Sequence, residues 1–419
     1  MNTAWQARLD RAIGDLEPKM RAVRRRLHER PELSGAEFET TRLLLDELRQ
    51  AGFESRCGPG SLGVLADSPP AADGIRRVAL RADIDALHIH DGKDAAYCSR
   101  NDGVMHACGH DAHAAIGLGA MLALRAMQEE GSLPWPLAWR GVFQPSEETA
   151  EGALEMIEAG ALEGVRAIFA LHVDPSRRVG SIGVRNGALT ASCDWLEIRL
   201  RGRGGHAARP HESLDPIAAA AQLISAIYSF IPRGADTHEP VVVTIGEILG
   251  GDNPNVIPEE TVLRGTLRTL DEDARESTKD HLRKLARGMA EASDVQIEVA
   301  FRGGLSAVRN DPRVTDVLRA VGAAALGAEN VEEIDRPSMG GEDFSGYLQH
   351  VPGAMFRLGV RSETIGGEPL HSPMFDIDES ALGVGARVLA QALVLAARPD
   401  EGDSSGVKGK SLAGIRRGG

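Results

Sequence analysis

The sequence predicts an α/β protein with a mixed, largely parallel sheet flanked by helices, into which a ferredoxin-like α+β unit is inserted. Three observations support this prediction. In the first part of the chain, short apolar segments typical of buried strands alternate with helical segments, as in parallel sheets. Near residue 188 the order changes to β-α-β-β-α-β, the order of a split βαβ unit. After Arg302 the alternation of strands and helices resumes.

The length of the chain also predicts more than one domain, because 419 residues exceed what one ordinary hydrophobic core accommodates. We expect a first domain built from residues 1–187 and 302–399, and an inserted domain at residues 188–301. Residues 400–419 are rich in Gly, Ser and Lys without periodicity, which predicts a disordered tail.

The elements of the first part place polar residues at the ends of strands. Two helices are expected within residues 20–50, separated at Pro31, and the segments that follow are a strand at Val78–Ala82, a helix at His110–Met127, a strand at Leu137–Phe143, a helix at Ala153–Ala159 and a strand at Ala167–Leu171. Polar clusters follow these strands at Asp83-Ile84-Asp85, at Glu147-Glu148 and at His172. Ligands bind at the carboxyl ends of strands in such sheets, so the clusters indicate a site there.

The remaining elements complete the predicted architecture. The inserted unit comprises strands at Cys193–Arg201, Val241–Leu249, Thr261–Leu270 and Val295–Phe301, and helices at Pro216–Phe230 and Asp271–Ala292, the latter capped by Asp271. The last part contains a helix at Pro312–Leu326, a strand at Ala354–Leu358 and a helix at Glu379–Ala397.

Composition excludes several classes of protein. Hydrophobic content of 42% and charged content of 26% are typical of a globular protein in water. A net charge of −14 argues against nucleic acid or an anionic membrane as a partner. Residues 1–30 contain no apolar run suited to a signal peptide, and no stretch reaches the roughly 18–20 apolar residues expected of a membrane-spanning helix. The four cysteines form no CxxC pair, which favours free thiols, a reducing compartment and, by default, the cytoplasm.

The segment Cys108-Gly109-His110 carries the strongest signal for a metal site. A thiolate and an imidazole suit zinc-like metals, and the intervening glycine allows both side chains to face one point. Incidental residues at a helix start are the alternative, and that alternative is the better interpretation of His113.

The other candidate ligands are weaker when each is taken alone. Glu147 and Glu148 are adjacent after a strand, so one can bind a metal while the other acts as general base, although an acidic surface turn is the alternative. His172 closes an apolar strand and could be a hydrogen-bonded core residue. His371 lies in a tight loop and could be simply solvated. Together with Cys108 and His110, however, Glu148 and these two histidines provide five ligands, enough for two metals if one bridges.

The inserted unit contributes polar residues with less specific signals. His206 lies in a glycine-rich segment that could bind an anion or form an ordinary hairpin. Asn255 and Arg268 could hold a substrate carboxylate, but from composition alone a turn and a surface strand explain them better.

These residues lie within a series of motifs that resembles the metallopeptidase superfamily of aminoacylases and glutamate carboxypeptidases. Within it, the chain is similar to the branch of hippurate hydrolases, auxin-conjugate hydrolases, N-acetyl-diaminopimelate deacetylases and other N-acyl amino acid amidohydrolases. The resemblance covers about Arg24 to Ala397, and it rests on the order and spacing of Leu80-Arg81-Ala82-Asp83-Ile84-Asp85, Met105-His106-Ala107-Cys108-Gly109-His110-Asp111, Phe143-Gln144-Pro145-Ser146-Glu147-Glu148, Gly205-His206-Ala207, Asn255-Val256-Ile257-Pro258, Gly265-Thr266-Leu267-Arg268, Gly341-Glu342-Asp343-Phe344 and Leu370-His371-Ser372-Pro373.

The resemblance implies a zinc-peptidase-like fold and a role for each candidate residue. Two divalent metals, zinc or manganese with cobalt or nickel also compatible, are bound by Cys108, His110, Glu148, His172 and His371, with Cys108 as the bridge. Glu147 is the general base, and Asp85 orients a ligand. His206 stabilises the oxyanion, often in the neighbouring subunit, while Asn255 and Arg268 face the substrate carboxylate.

The function implied is hydrolysis of the amide bond of N-acyl amino acids by a homodimer or homotetramer whose inserted domain serves as lid and dimerisation domain. A dipeptidase or carboxypeptidase with the same metal centre is the main alternative, and a non-catalytic binding protein is the second. The chain departs from the family at His88, His90 and Cys98, outside the metal set, which leaves the substrate preference open.

Overall fold

The computed structural model describes residues 4–69 and 75–399, and within them the chain forms nine α-helices. They are α1 (Ala4–Glu29), α2 (Phe38–Gln50), α3 (His110–Glu129), α4 (Gly152–Glu158), α5 (Pro216–Gly234), α6 (Glu272–Ser293), α7 (Pro312–Leu326), α8 (Ser345–Leu348) and α9 (Ala381–Ala396). Among these helices, none combines the length and the apolar character that crossing a bilayer demands.

The described residues also form sixteen strands and three short 3-10 helices. The strands are β1 (Glu54–Cys57), β2 (Val64–Asp67), β3 (Arg77–Asp83), β4 (Trp139–Gln144), β5 (Val165–Arg178), β6 (Ile182–Val184), β7 (Gly187–Ala188), β8 (Ser192–Arg201), β9 (Gly205–His206), β10 (Val241–Leu249), β11 (Val256–Ile257), β12 (Glu260–Thr269), β13 (Gln296–Leu305), β14 (Arg309–Asn310), β15 (Val331–Glu333) and β16 (Gly353–Arg361).

The larger sheet has eight strands in the order β1-β2-β4-β3-β5-β16-β6-β15. Its four central strands β4, β3, β5 and β16 run parallel, while β1, β2 and β6 add antiparallel pairs. Leu80 of β3 faces a core shared with α1, α3 and α9, and the neighbouring Ala79 faces a second core shared with α4 and α8. Because helices cover both faces, the parallel strands are buried and apolar, and the predicted α/β class is confirmed.

The smaller sheet is antiparallel, with the order β10-β12-β8-β13. When the four strands of this sheet, β8, β10, β12 and β13, are numbered 1 to 4 along the chain, their order in the sheet is 2-3-1-4. This is the ferredoxin-like arrangement that the sequence predicts. Leu223 of α5 and Leu282 of α6 pack with Ile198 and Leu263 on one face of the sheet. The helix α6 begins after Asp271, whose side chain accepts hydrogen bonds from two backbone N–H groups, as expected for a cap.

The predicted elements agree with the observed ones apart from their bounds and one strand end. The strand before His172 does not stop there: β5 continues to Arg178 because it pairs with β16 along the same length, so His172 lies inside the strand. The proposed domain limits at residues 188 and 301 stay a prediction. The predicted tail at 400–419 lies outside the described residues.

Candidate metal centre

The parallel strands β4, β3, β5 and β16 end at one edge of the larger sheet, and the predicted site residues converge there. Asp85 follows β3, and Glu147 and Glu148 follow β4. His172 projects from β5. The backbone N–H of His371 donates to the carbonyl oxygen of Ala107 at 2.8 Å, and this bond holds the loop between β16 and α9 against the start of α3.

Gly109 determines the geometry of Cys108 and His110. It adopts φ of +85° immediately before α3, a left-handed conformation that L-residues rarely adopt. A Cβ atom at this position would lie 2.5 Å from Cγ2 of Val173. Glycine is therefore required both for the turn and for the close approach of β5, which places Cys108 and His110 on either side of the turn.

The five predicted ligands form two groups that share Cys108. Within each group, candidate donor atoms lie within 4.8 Å of one another: Cys108, His110 and His172 in one, and Cys108, Glu148 and His371 in the other. Sγ of Cys108 lies 3.5 Å from Nε2 of His172, and Nε2 of His371 lies 3.5 Å from Oε1 of Glu148. This arrangement is what a bridging thiolate between two cations requires.

Unsatisfied atoms and donor chemistry both fit a bound cation pair. Nε2 of His110 and Oε1 of Glu148 are buried and have no hydrogen-bond partner among the described residues. Buried polar atoms without partners are costly, and a cation would supply the missing interaction. Burial raises the pKa of the Cys108 thiol, so the thiolate needs a neighbouring positive charge. A set of sulfur, nitrogen and oxygen donors suits zinc and related metals.

Asp85, which follows β3, contacts both His110 and the backbone of Glu148. Its carboxylate accepts hydrogen bonds from the hydroxyl of Ser34 at 2.7 Å and from the backbone N–H of Glu148 at 2.9 Å, and its Oδ1 lies 3.0 Å from Nδ1 of His110. Although burial opposes ionisation, the contact with His110 lowers the pKa of Asp85. One ionised carboxylate thus orients two candidate ligands.

Glu147 lines the same cleft and forms an acidic group with Glu342 and Asp343. Burial, followed by repulsion from these two carboxylates, raises the pKa of Glu147 well above its usual value. A carboxylate with a raised pKa is a stronger base than an exposed glutamate, which suits proton transfer from water.

Arg81 organises a buried network that was not predicted from the sequence. Its guanidinium donates to Asp83 at 2.6 Å, to Asp343 at 2.6 Å and to Gln144 at 2.8 Å, and it lies 3.0 Å from Glu342. The signal was present in the Leu80-Arg81-Ala82-Asp83 and Gly341-Glu342-Asp343 motifs, but only the fold brings them together.

The remaining histidines and Cys98 are not part of the predicted ligand set. His113 has both ring nitrogens engaged, Nδ1 with Asp83 at 2.5 Å and Nε2 with the backbone N–H of Val173 at 3.0 Å, although geometry alone groups it with Asp83 and His110. His88 and His90 are exposed, and the thiol of Cys98 donates to a backbone carbonyl.

The cleft above the ligands has a volume of about 910 Å³ and is lined by both sheets. From the smaller sheet it receives Arg268, whose guanidinium donates to the carbonyl oxygen of Met339 at 2.8 Å, and Trp195. His206 and Asn255 do not line this cleft. They lie together at the exposed two-stranded sheet of β9 and β11, with Nδ2 of Asn255 3.5 Å from Nε2 of His206. The structure therefore brings together eight predicted residues and leaves these two apart.

Comparison with known proteins places these features in a family context. The peptidase family M20/M25/M40 matches residues 79–394. The N-acetylcysteine deacetylase of Bacillus subtilis is 40% identical over 376 residues, which cover 89% of this chain and 95% of that protein. Thermostable carboxypeptidase 2 of Saccharolobus solfataricus is 36% identical over 398 residues, 92% of this chain and 97% of that protein.

A solved structure gives the same result for the fold. The Bacillus subtilis YXEP protein, described as a dinuclear metal binding peptidase of the M20 family, is 34% identical in sequence and superposes with a TM-score of 0.78. The match covers 91% of this chain and 99% of that chain.

Proposed function

The chain belongs to the M20/M25/M40 peptidase family and is a metal-dependent hydrolase, and from that premise we propose that it cleaves the amide bond of N-acyl amino acids. The observation that carries the proposal is the position of Glu147 beside two ligand groups that share Cys108, in a cleft that also holds Arg268. A base, a cation site and a group for a carboxylate are the parts that this reaction needs.

Two divalent cations are the cofactors that the family membership and the donor set support. Cys108 would bridge them, with His110 and His172 on one side and Glu148 and His371 on the other. We propose zinc or manganese, and cobalt or nickel are compatible with the same donors. When bound, the cations supply Lewis acidity, which lowers the pKa of water and polarises the amide carbonyl.

The protein's own residues then move the proton and hold the substrate. Glu147 takes a proton from the attacking water at its carboxylate and later delivers it to the leaving nitrogen. Asp85 keeps His110 and the Glu148 backbone in place during both steps. Arg268 binds the carboxylate of the amino acid through its guanidinium.

His206 and Asn255 require a second subunit in this proposal, because they do not line the cleft of their own chain. We propose a homodimer, or a homotetramer built from it, in which His206 of the partner subunit contacts the developing oxyanion and Asn255 supports it. Residues 188–301 would form the lid and dimerisation domain, which excludes water as it closes.

A dipeptidase or carboxypeptidase activity is the second candidate, since a relative 36% identical to the chain is named a carboxypeptidase. The same base and cations would serve both reactions. A non-catalytic binding protein is less well supported, because the base and all five ligands are retained. We also propose a cytoplasmic location, which the four free cysteines of the described residues support.

Hydrolysis of a small substrate panel tests the proposal. Protein stripped with a chelator and reloaded with Mn²⁺ or Zn²⁺ is offered acetyl, benzoyl and indoleacetyl amino acids, together with unblocked dipeptides. We expect cleavage of blocked substrates only after reloading. Cleavage of unblocked dipeptides alone would favour the peptidase, and metal binding without any turnover would favour the binding protein.

A further inference from the structure

Arg357 is an arginine in the cleft whose charge the protein itself does not satisfy. Its half-buried side chain lines the cleft together with Cys108, His172 and Glu147. Within residues 4–69 and 75–399, its guanidinium takes part in no hydrogen bond and no ion pair. An arginine held in a cavity without a partner is a ready binding group for an anion.

The fold holds Arg357 beside the candidate metal centre. It lies on β16, where its Cα pairs with that of His172 on the parallel strand β5, so the two side chains share one face of the sheet. Phe356 and Leu358, its neighbours along β16, face the opposite side and are fully buried in the larger core. Burial, and after it the positive charge of Arg357, lower the pKa of His172, which agrees with this proximity.

Other arginines near this cleft have acidic partners. Asp174, two residues after His172 on the same face, accepts from Arg177 at 3.0 Å and from Ser176 at 2.9 Å. The guanidinium of Arg302, which also lines the cleft, lies 3.4 Å from Glu197. Arg357 therefore differs from Arg177 and Arg302, because its guanidinium forms no ion pair with a described residue.

Arg268 and Arg357 provide two separate cationic groups in one cleft. Under the proposed function, Arg268 binds the carboxylate that every N-acyl amino acid carries, and a substrate with one carboxylate leaves Arg357 unmatched. We propose that Arg357 is a specificity-determining residue that binds a second carboxylate of the substrate. This inference rests on the proposed function and narrows its substrate class.

The second carboxylate has two chemical sources. It belongs either to the side chain of an acidic amino acid or to a dicarboxylic acyl group such as succinyl. Guanidinium binds a carboxylate from either source through the same paired hydrogen bonds. Substrate pairs that differ only by carboxylate and carboxamide separate the charge from the size of the group.

The test compares kcat/KM for two such pairs in the metal-loaded full chain. The first is N-acetyl-L-glutamate against N-acetyl-L-glutamine, and the second is N-succinyl-L-alanine against N-succinamoyl-L-alanine. We expect the wild type to prefer the charged member of one pair by about 10- to 100-fold, the range for a hydrogen-bonded charge pair. The preferred pair identifies the source of the carboxylate.

Variants assign the preference to the side chain. Arg357→Met should abolish the preference and Arg357→Lys should retain part of it, whereas Arg361→Met, which removes an exposed arginine of the same strand, should leave it unchanged. The ratio within a pair is insensitive to altered metal content, which is measured separately.

Two results would overturn the inference. In the first, wild type hydrolyses the neutral members without preferring either charged one. In the second, Arg357→Met lowers kcat/KM equally for both members of a pair. Either result means that Arg357 does not bind a second carboxylate, and the proposed function stands. If enzyme with metal bound hydrolyses none of the four amides, the proposed function is wrong, and this inference, which depends on it, is wrong as well.

Discussion

Oδ1 of Asp85 lies 3.0 Å from Nδ1 of His110, while the other oxygen of the same carboxylate accepts the backbone N–H of Glu148 at 2.9 Å. The contact leaves Nε2 of His110 to face the candidate metal centre, where it has no hydrogen-bond partner among the described residues. A single buried carboxylate thereby fixes one candidate ligand through its ring and another through its backbone.

Asp85→Asn should weaken metal binding, because the amide is a poorer acceptor for His110 and cannot balance its charge. Loss of such a partner typically lowers metal affinity about 10- to 100-fold. Metal titration of chelator-stripped protein measures the change. Asp67→Asn, which removes a carboxylate bound to Arg140 elsewhere in the sheet, is the control and should bind metal as wild type does. Equal affinities for Asp85→Asn and wild type would contradict the assigned role.

Glu147→Gln should abolish most turnover while sparing metal content, because the amide cannot accept the proton of water. We expect kcat to fall by at least about 10²- to 10⁴-fold, the usual contribution of a general base. Turnover and bound metal are measured on the same preparation. Glu151→Gln changes an exposed carboxyl of the same cleft and should remain active. Turnover that survives in Glu147→Gln would exclude Glu147 as the base.

Gly109→Ala should both destabilise the protein and reduce metal binding. The left-handed conformation costs an L-residue about 1–2 kcal/mol, and the added Cβ would meet Val173 at 2.5 Å. Thermal unfolding and metal content report the two effects. Gly288→Ala is the control, since a Cβ added to that helical glycine would meet no atom within 4 Å, and alanine there should stabilise by about 0.5–1 kcal/mol. A wild-type melting temperature for Gly109→Ala would show that the turn tolerates a side chain.

Glu37 should make stability fall as pH rises from about 4.5 to about 7. Its side chain is fully buried; Oε1 accepts from the backbone N–H of Ser146 at 2.8 Å, and burial raises its pKa to about 7. Between the unfolded and folded pKa values the native state binds more protons than the unfolded state. The free energy of unfolding therefore decreases with pH, by an amount on the order of 3 kcal/mol.

Glu37→Gln removes this titration, so the variant should gain stability relative to wild type between about pH 4.5 and about pH 7.5. Urea unfolding midpoints of the metal-free proteins at the two pH values give the difference. The exposed Glu39→Gln serves as the control and should follow wild type. A constant difference between Glu37→Gln and wild type would mean that Glu37 does not titrate in this interval.

The sequence predicts the architecture because its local signals agree with the fold. Asp85 and Glu148 follow short apolar segments, and parallel strands bring such ends to one edge, so their proximity could be anticipated. Cys108-Gly109-His110 has a composition that suits both a turn and a metal. In contrast, His172 was misplaced at a strand end, because the length of β5 depends on its pairing with β16, nearly two hundred residues later in the chain.

Roles that depend on pairs distant in sequence could not be predicted. Arg81 and Asp343 meet only after folding, so neither of their two motifs taken alone indicates the network that they form. In the sequence, Arg357 is only a polar residue within an apolar strand. Its position beside His172 follows from the pairing of β16 with β5. For His206 and Asn255 the difficulty is different. The resemblance assigns both residues to the site, but one chain alone does not bring them into the cleft.

The position of β16 also constrains how the protein is made. This strand is central in the larger sheet, yet it is encoded after the entire smaller sheet, so β5 has an unpaired edge while the ribosome is still producing the chain between them. An open edge of a buried strand is prone to pair with other chains. Pairings between segments so far apart also form slowly. The nascent protein must therefore keep its first half from aggregating until about the last hundred residues emerge, and His371 reaches the other candidate ligands only at that stage.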